Sequence, residues 1–304
     1  MRLVYHQGRN FGDALNPLIF QALFPGFFDD DDDSTLFIGI GSIIGLKKPT
    51  PNTKRRIYFS SGFAAGDAAT YGTAPTFGPM DDVVCVRGPL TAKALGLPPE
   101  KAIADGAILL KQVTDVARKD VRTPFAYMPH AGSFAFYPAW ADLLKEVGIA
   151  VIDPRQEPLA VLDAVRSTGV LLAEAMHGAI VADLVGVPWV PVAMYGTINA
   201  FKWQDFTASV QLPYEPQRIT SLYDRSFLET MFRARLQRLR MGALSRIAAD
   251  VYGVNHPRRR EAVLKQFEAL RSASTFLSDR RVLDARLDAL LERAEYVRRT
   301  YART

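Results

Sequence analysis

VLLAEAMHGAIVADLVGVPWVPV, residues 170–192, is the stretch on which the fold turns. VLLAE is an unbroken apolar run of strand length. HGAIVADLVG has the length and composition of a helix and stops at Gly186, and VPWVPVAM is a second apolar run. Strand, helix, strand in that order make a βαβ unit. Strands that are apolar throughout, rather than alternating, belong in a parallel sheet covered on both faces. Glu174, His177 and Gly178 sit at the strand-to-helix turn of this unit, where packing alone would prefer Leu or Val.

The pattern extends outward in both directions. Upstream lie the strand PFAYMPH, the helix YPAWADLLKEVG, the strand IAVIDP and the helix EPLAVLDAVRSTG. The N-terminal part opens with the strand RLVYH, the loop QGRNFGD and the helix ALNPLIFQALF. The strands STLFIGIGSII, RRIYFSSGF and DDVVCVRG follow. PLTAKALG then reads as a helix, with Pro89 in its first turn and Gly96 past its end. KAIADGAILL reads as a short strand carrying Asp105, and the polar run KQVTDVARKDVRTP marks a boundary. From about Tyr223 the chain becomes Arg-rich and helical in period. The expected fold is α/β, with two doubly wound Rossmann-like domains facing a cleft. They span 1–118 and 119–220, and a basic helical region, 221–304, packs on both. Ligands of open parallel sheets bind beyond the carboxyl ends of the strands.

Composition narrows the function classes. The 304 residues are 48% hydrophobic and 23% charged, ordinary for a globular chain with two cores. Cys85 is the only cysteine, which excludes a disulfide framework and a multi-Cys metal site. No H-E-x-x-H, C-x-x-C or paired-Asp motif is present, so no dedicated metal site is expected. The acidic run Asp29–Asp33 lacks the EF-hand spacing and reads as a surface loop. MRLVYHQGRNFGD has no signal-peptide core, and no run of about 18 apolar residues exists, so a cytoplasmic protein is expected. The net charge of +5 is uneven: residues 221–304 hold 18 basic and 10 acidic residues, +8, against −3 elsewhere. That segment is a solvated helical face or a surface for anionic lipid. No nucleic-acid partner is expected.

The candidate chemistry lies at strand ends. Gly8, Asn10, Gly12 and Asp13 follow a strand and precede a helix, but lack the G-x-G-x-x-G fingerprint. This loop is either an anion-binding helix N-terminus or an ordinary turn with Asp13 as cap. Arg87 ends a strand, where a guanidinium needs a partner or an anion, and Asp105 is placed to orient it. Glu174 and His177, three residues apart, suit acid–base work, and Gly178 permits close approach of a ligand. His130 and His6 also end strands. G-x-S-x-G and Walker A motifs are absent.

Taken together, NFGDALN, VRGPLTAKALGLP, ADGAILL and EAMHGAIVADLVGVP resemble the polysaccharide pyruvyltransferase family. INAFKWQDF resembles its exopolysaccharide, succinoglycan-type branch, and the resemblance covers roughly residues 1–215. It implies a fold similar to two-domain GT-B glycosyltransferases. It also implies transfer of the enolpyruvyl unit of phosphoenolpyruvate onto two hydroxyls of one sugar, giving a pyruvate ketal and phosphate, with no cofactor. The implied acceptor is a lipid-linked oligosaccharide at the cytoplasmic membrane face, which makes the protein a peripheral one. The Arg of the family's R-[DG]-x-x-[ST] motif maps to Arg87, and its His-Gly to His177 and Gly178. Many members carry Arg two residues before that His; here the residue is Ala175, leaving Arg9, Lys202 and His130 to supply the contact. His177 and Glu174 then serve as the acid–base pair. Two rivals stand beside this reading. One is a GT-B glycosyltransferase using a nucleotide sugar, with Glu174 or Asp183 at the ribose. The other is a non-catalytic binding protein working through its basic tail.

Overall fold

A computed structural model describes residues 1–46, 51–66, 72–237 and 244–302. In the first part β1 (Arg2–Val4) leads into α1 (Phe11–Leu23), followed by β2 (Thr35–Ile38), β3 (Arg55–Ser61), β4 (Asp81–Val86) and α2 (Pro89–Ala94). The four strands form one parallel sheet in the order β1-β2-β3-β4. The second part runs β5 (Thr123–Met128), α3 (Trp140–Lys145), β6 (Ala150–Val151), α4 (Pro158–Arg166), β7 (Thr168–Ala173), α5 (Met176–Val185), β8 (Trp189–Ala193), α6 (Ala200–Ser209) and β9 (Gln217–Arg218). Its five parallel strands stand in the order β6-β5-β7-β8-β9. Three helices close the chain: α7 (Arg225–Gln237), α8 (Leu244–Ala269) and α9 (Arg280–Tyr301).

The molecule is thus α/β with parallel, Rossmann-like sheets, but the two sheets differ. The second reverses its strand order between β5 and β7, which creates a switch point where neighbouring crossovers leave in opposite directions. The first sheet has no such reversal, so only the second shows the doubly wound order expected of both. KAIADGAILL, moreover, is not a fifth strand of this sheet. Ala102 makes a single bridge to Val86, and the Asp105 side chain then accepts the Ala107 N–H and turns the chain into a 3-10 turn, Gly106–Leu109. A bulge in β3 sits beside this turn. Ser60 there adopts φ +60°, and its hydroxyl donates to the Ala104 carbonyl. Strand β9, paired to β8, has no signature in the sequence beyond two polar residues.

Local chemistry explains the helices. Asn10, not Asp13, caps α1: its Oδ1 accepts the Gly12 N–H at 3.3 Å. The buried face of α9 is Leu283, Leu287, Leu290, Ala294 and Val297, a helical stripe packed in a core cluster that also takes residues from α1, β3, β5 and β7. Residues 238–243 of the amphipathic C-terminal stretch lie outside the described residues.

The arginines of the C-terminal region have work inside the fold. Arg298 donates to the Leu23 carbonyl at the end of α1, from Nε at 3.1 Å and Nη2 at 2.8 Å. Arg280 donates to Leu184 in the last turn of α5, and Arg286 to Ser209 at the end of α6, each at 2.8 Å. These carbonyls have no intrahelical partner and carry the negative end of the helix dipole, so a guanidinium is the fitting cap.

Between the two sheets lies a buried ion pair. Arg87 Nε donates to Asp205 Oδ2 at 2.9 Å, and both side chains are fully buried. Arg87 also donates to Ser42 Oγ at 2.7 Å and to the Phe63 carbonyl at 3.0 Å. Asp205, on α6, accepts the Leu90 and Thr91 N–H groups at 2.9 Å and the Thr91 hydroxyl at 2.6 Å. The glycines flanking this contact are clearances. A Cβ at Gly88 would lie 2.3 Å from the Asp205 carbonyl oxygen, and one at Gly62 would lie 2.2 Å from Arg87 Cζ. The Arg87 guanidinium, the Leu90 and Thr91 N–H groups and the Thr91 hydroxyl are thus engaged by Asp205, Ser42 and the Phe63 carbonyl. Arg87 is not positioned as an anion ligand, and Asp105 is not its main orienting partner.

Asp205→Ala would strand a buried guanidinium without its counter-ion, and the expected loss is about 3–5 kcal/mol. Arg286→Met, which exposes one helix-end carbonyl at the surface, should cost about 1 kcal/mol. Urea unfolding of both variants checks the order; equal losses would contradict it.

Candidate functional site

The carboxyl ends of the strands in both sheets open onto one cavity of about 300 Å³. From the first sheet it is lined by His6 after β1, by the start of α1 and by Gly41–Ile43 after β2. From the second it takes His130 after β5, Glu174–His177 after β7, and Asn199, Lys202 and Trp203 of α6. The β5 and β7 ends are the two sides of the switch point. The three histidines that end strands in the sequence therefore meet in one place.

His177 lies in the first turn of α5, with its ring against the start of α1. A Cβ on Gly12 would fall 1.9 Å from His177 Nδ1, so Gly12 exists to admit the imidazole. Behind the ring stands Asp105, fully buried, its Oδ2 at 3.7 Å from His177 Nε2. That is ion-pair range, longer than a hydrogen bond. Oδ1 accepts the Ala107 N–H at 3.0 Å. Burial raises the Asp105 carboxyl, but His177, Arg87 and the Ala107 amide outweigh it, and the net shift is downward.

Glu174 does not share this chemistry. It is fully buried under the cavity, and its Oε2 accepts the Tyr127 hydroxyl at 3.0 Å, the His130 N–H at 2.9 Å and the Ser133 hydroxyl at 2.6 Å. Burial raises its pKa against these donors. Glu174 and His177 are not an acid–base couple: one turns inward to hold the 130–133 loop, and the other turns to Asp105. Gly178 is likewise no ligand contact. A Cβ there would lie 2.3 Å from Met128 Sδ, so this glycine lets α5 close onto β5.

His130 is a neutral donor. Its Nδ1 accepts the Gly132 N–H at 3.2 Å, which leaves the proton on Nε2. Burial, with lesser repulsion from Lys202 and His177, pushes its pKa down to about 4. It cannot replace the cation absent at Ala175. Lys202 is better placed, since it lines the cavity from the first turn of α6. Asn199 caps that turn, accepting the Lys202 N–H at 3.3 Å and donating to the Ala65 carbonyl across from it. The N-terminus of α5 has no side-chain cap, and Ala175, Met176 and His177 line the cavity there. Arg9 is exposed and does not line the cavity. Asn10 and Asp13 do; Asn10 Nδ2 donates to Asp13 Oδ2 at 2.8 Å. Asn199, Ser42 and Trp203 were not singled out from the sequence, although INAFKWQDF contains two of them.

Among the described residues no helix is long and apolar enough to cross a membrane, and no group of three or more His, Cys, Asp or Glu could hold a metal ion.

The His130 shift has a consequence for stability. In the unfolded chain it takes a proton near pH 6.5; in the folded chain only near 4. Its contribution is therefore fully present above about pH 6.5 and is lost as pH falls toward 4. His130→Gln should flatten the difference in melting temperature between pH 7 and pH 4.5 relative to wild type. An unchanged slope would contradict the assignment.

No family profile matches the chain. Among curated proteins it is similar to the succinoglycan biosynthesis protein ExoV of Rhizobium meliloti (strain 1021), 34% identical over 215 residues. The match covers 70% of this chain and 65% of ExoV, so the chain spans just under two thirds of that relative's length. The four motifs that resemble the polysaccharide pyruvyltransferase family build this cavity and the ion pair beside it, and the relative that the chain matches is a succinoglycan biosynthesis protein.

Proposed function

We propose that the chain transfers the pyruvyl group of phosphoenolpyruvate to two hydroxyls of a saccharide in exopolysaccharide synthesis, releasing phosphate. One observation carries this reading. A histidine backed by a buried carboxylate, a neutral histidine donor, a lysine and an uncapped helix N-terminus converge on one cavity. Phosphoenolpyruvate offers a phosphate and a carboxylate to such a set. Lys202 and the first amides of α5 take the anionic groups, in place of an arginine at Ala175. His130 Nε2–H donates a hydrogen bond to an oxygen. His177 removes a proton from an attacking hydroxyl, and Asp105 stabilises the imidazolium that results. The family's GT-B-like arrangement is part of the same reading, since both sheets present their carboxyl edges to the cavity.

The nucleotide-sugar alternative is less well served. Asp183 is spent on the Trp189 indole and on Ser278, and it does not line the cavity. Glu174 is buried beneath it. Neither presents a carboxylate to a ribose. The acceptor is proposed to be lipid-linked, with peripheral attachment through basic residues of the C-terminal region. Co-sedimentation with phosphatidylglycerol vesicles, weakening with salt, checks that part.

Phosphoenolpyruvate should raise the melting temperature of the wild type, while UDP and GDP should not. Lys202→Ala should lose the phosphoenolpyruvate shift. His177→Gln should keep it and lower turnover by roughly 10²–10⁴-fold. Stabilisation by a nucleotide alone would transfer the chain to the glycosyltransferase reading.

A further inference from the structure

With Glu174 buried as a support, the cavity still contains one carboxylate that the reading above does not use. We infer that Asp13 is the second proton carrier of the site, working opposite His177. The inference rests on the pyruvyl-transfer reading and assigns the acid that this chemistry requires.

The geometry singles Asp13 out. It lines the cavity from the first turn of α1 and retains 8% exposure, whereas Glu174 and Asp105 are fully buried. Asn10 Nδ2 donates to its Oδ2 at 2.8 Å and fixes the carboxyl plane. The other oxygen, Oδ1, faces Gly41, which also lines the cavity; a Cβ at Gly41 would stand 3.6 Å from it. Gly41 has φ +126°, a backbone conformation that favours glycine, so the wall beside Oδ1 stays bare. The neighbouring cationic or titratable groups are His177, His6 and Lys202. Burial nevertheless raises the Asp13 pKa overall, which suits a carboxyl that must hold a proton before it gives it up.

The reaction needs two proton donations and two proton removals, and two carriers suffice. Asp13 gives its proton to the C3 methylene of phosphoenolpyruvate, which becomes the methyl group. The first hydroxyl adds to C2 and its proton passes to His177. Asp13 is then a carboxylate and His177 an imidazolium. The second hydroxyl forms its bond to C2 as the C2–O bond to phosphate breaks. Its proton goes to Asp13, and His177 gives its proton to the departing phosphate. Both residues return to their starting states, and no oxidant or further reactant is needed.

The test uses the full chain with phosphoenolpyruvate and mild-acid-treated succinoglycan oligosaccharide as acceptor, and reads phosphate release. Asp13→Asn keeps an oxygen for Asn10 and so should fold and retain the thermal shift with phosphoenolpyruvate. Its turnover should fall at least about 100-fold. Asp13→Ala should be equally slow and should regain turnover with added formate, a response that a purely structural role would not give. Turnover of Asp13→Asn within threefold of wild type, or no rescue of Asp13→Ala by formate, overturns the inference and leaves the pyruvyl-transfer reading in place. A wild-type chain that neither binds phosphoenolpyruvate nor releases phosphate from it overturns both.

Discussion

The ion pair between Arg87 and Asp205 is the constraint on which the rest of this structure depends. It joins the end of β4 in the first sheet to α6 in the second part of the chain, and both partners are cut off from water. A buried pair of this kind adds little net stability over apolar packing, but losing one member is costly. Its worth is geometric. Asp205 engages the Arg87 side chain, two backbone amides and the Thr91 hydroxyl, so α6 has one position relative to α2. Lys202 and Trp203 lie on the same helix and line the cavity. The cavity wall is therefore set by a contact that does not itself line the cavity.

The charged groups around the cavity divide by depth. Asp105, Glu174 and Asp205 are fully buried and act on other protein groups: Asp105 on His177, Glu174 on the 130–133 loop, and Asp205 on Arg87. Asp13, His130, His177 and Lys202 border the open space. A fully buried carboxylate acts on the protein groups packed against it, and it can hold a loop or ring in one orientation. This separation of supporting from bordering groups is what makes a small cavity chemically ordered.

The C-terminal helices serve the same end. Arg280, Arg286 and Arg298 each supply donors to the last carbonyls of a helix that begins at the cavity: α5, α6 and α1. The cavity-facing ends of these helices present amides, and the far ends present carbonyls. Capping the far ends with guanidinium groups fixes the helices without occupying the site. Part of the positive charge concentrated in residues 221–304 is thus internal to the fold.

Much of this was legible in the sequence. Unbroken apolar runs identified eight of the nine strands among the described residues, because a strand buried on both faces leaves no polar alternation. His6, His130 and His177 were marked as strand-end residues, and parallel strands bring such ends to one edge. What the sequence could not decide was direction and partner. Glu174 and His177 are three residues apart on one turn, yet they serve different neighbours, and that depends on how α5 seats against β5. Gly12 and Gly178 read as openings for a ligand but are clearances for an imidazole and a methionine. Arg87 reads as an anion ligand until Asp205, 118 residues away, is brought beside it. Local pattern fixes strand and helix because burial has a period along the chain. The partner of a buried charge is set by which distant segment packs there, and only the tertiary structure decides that.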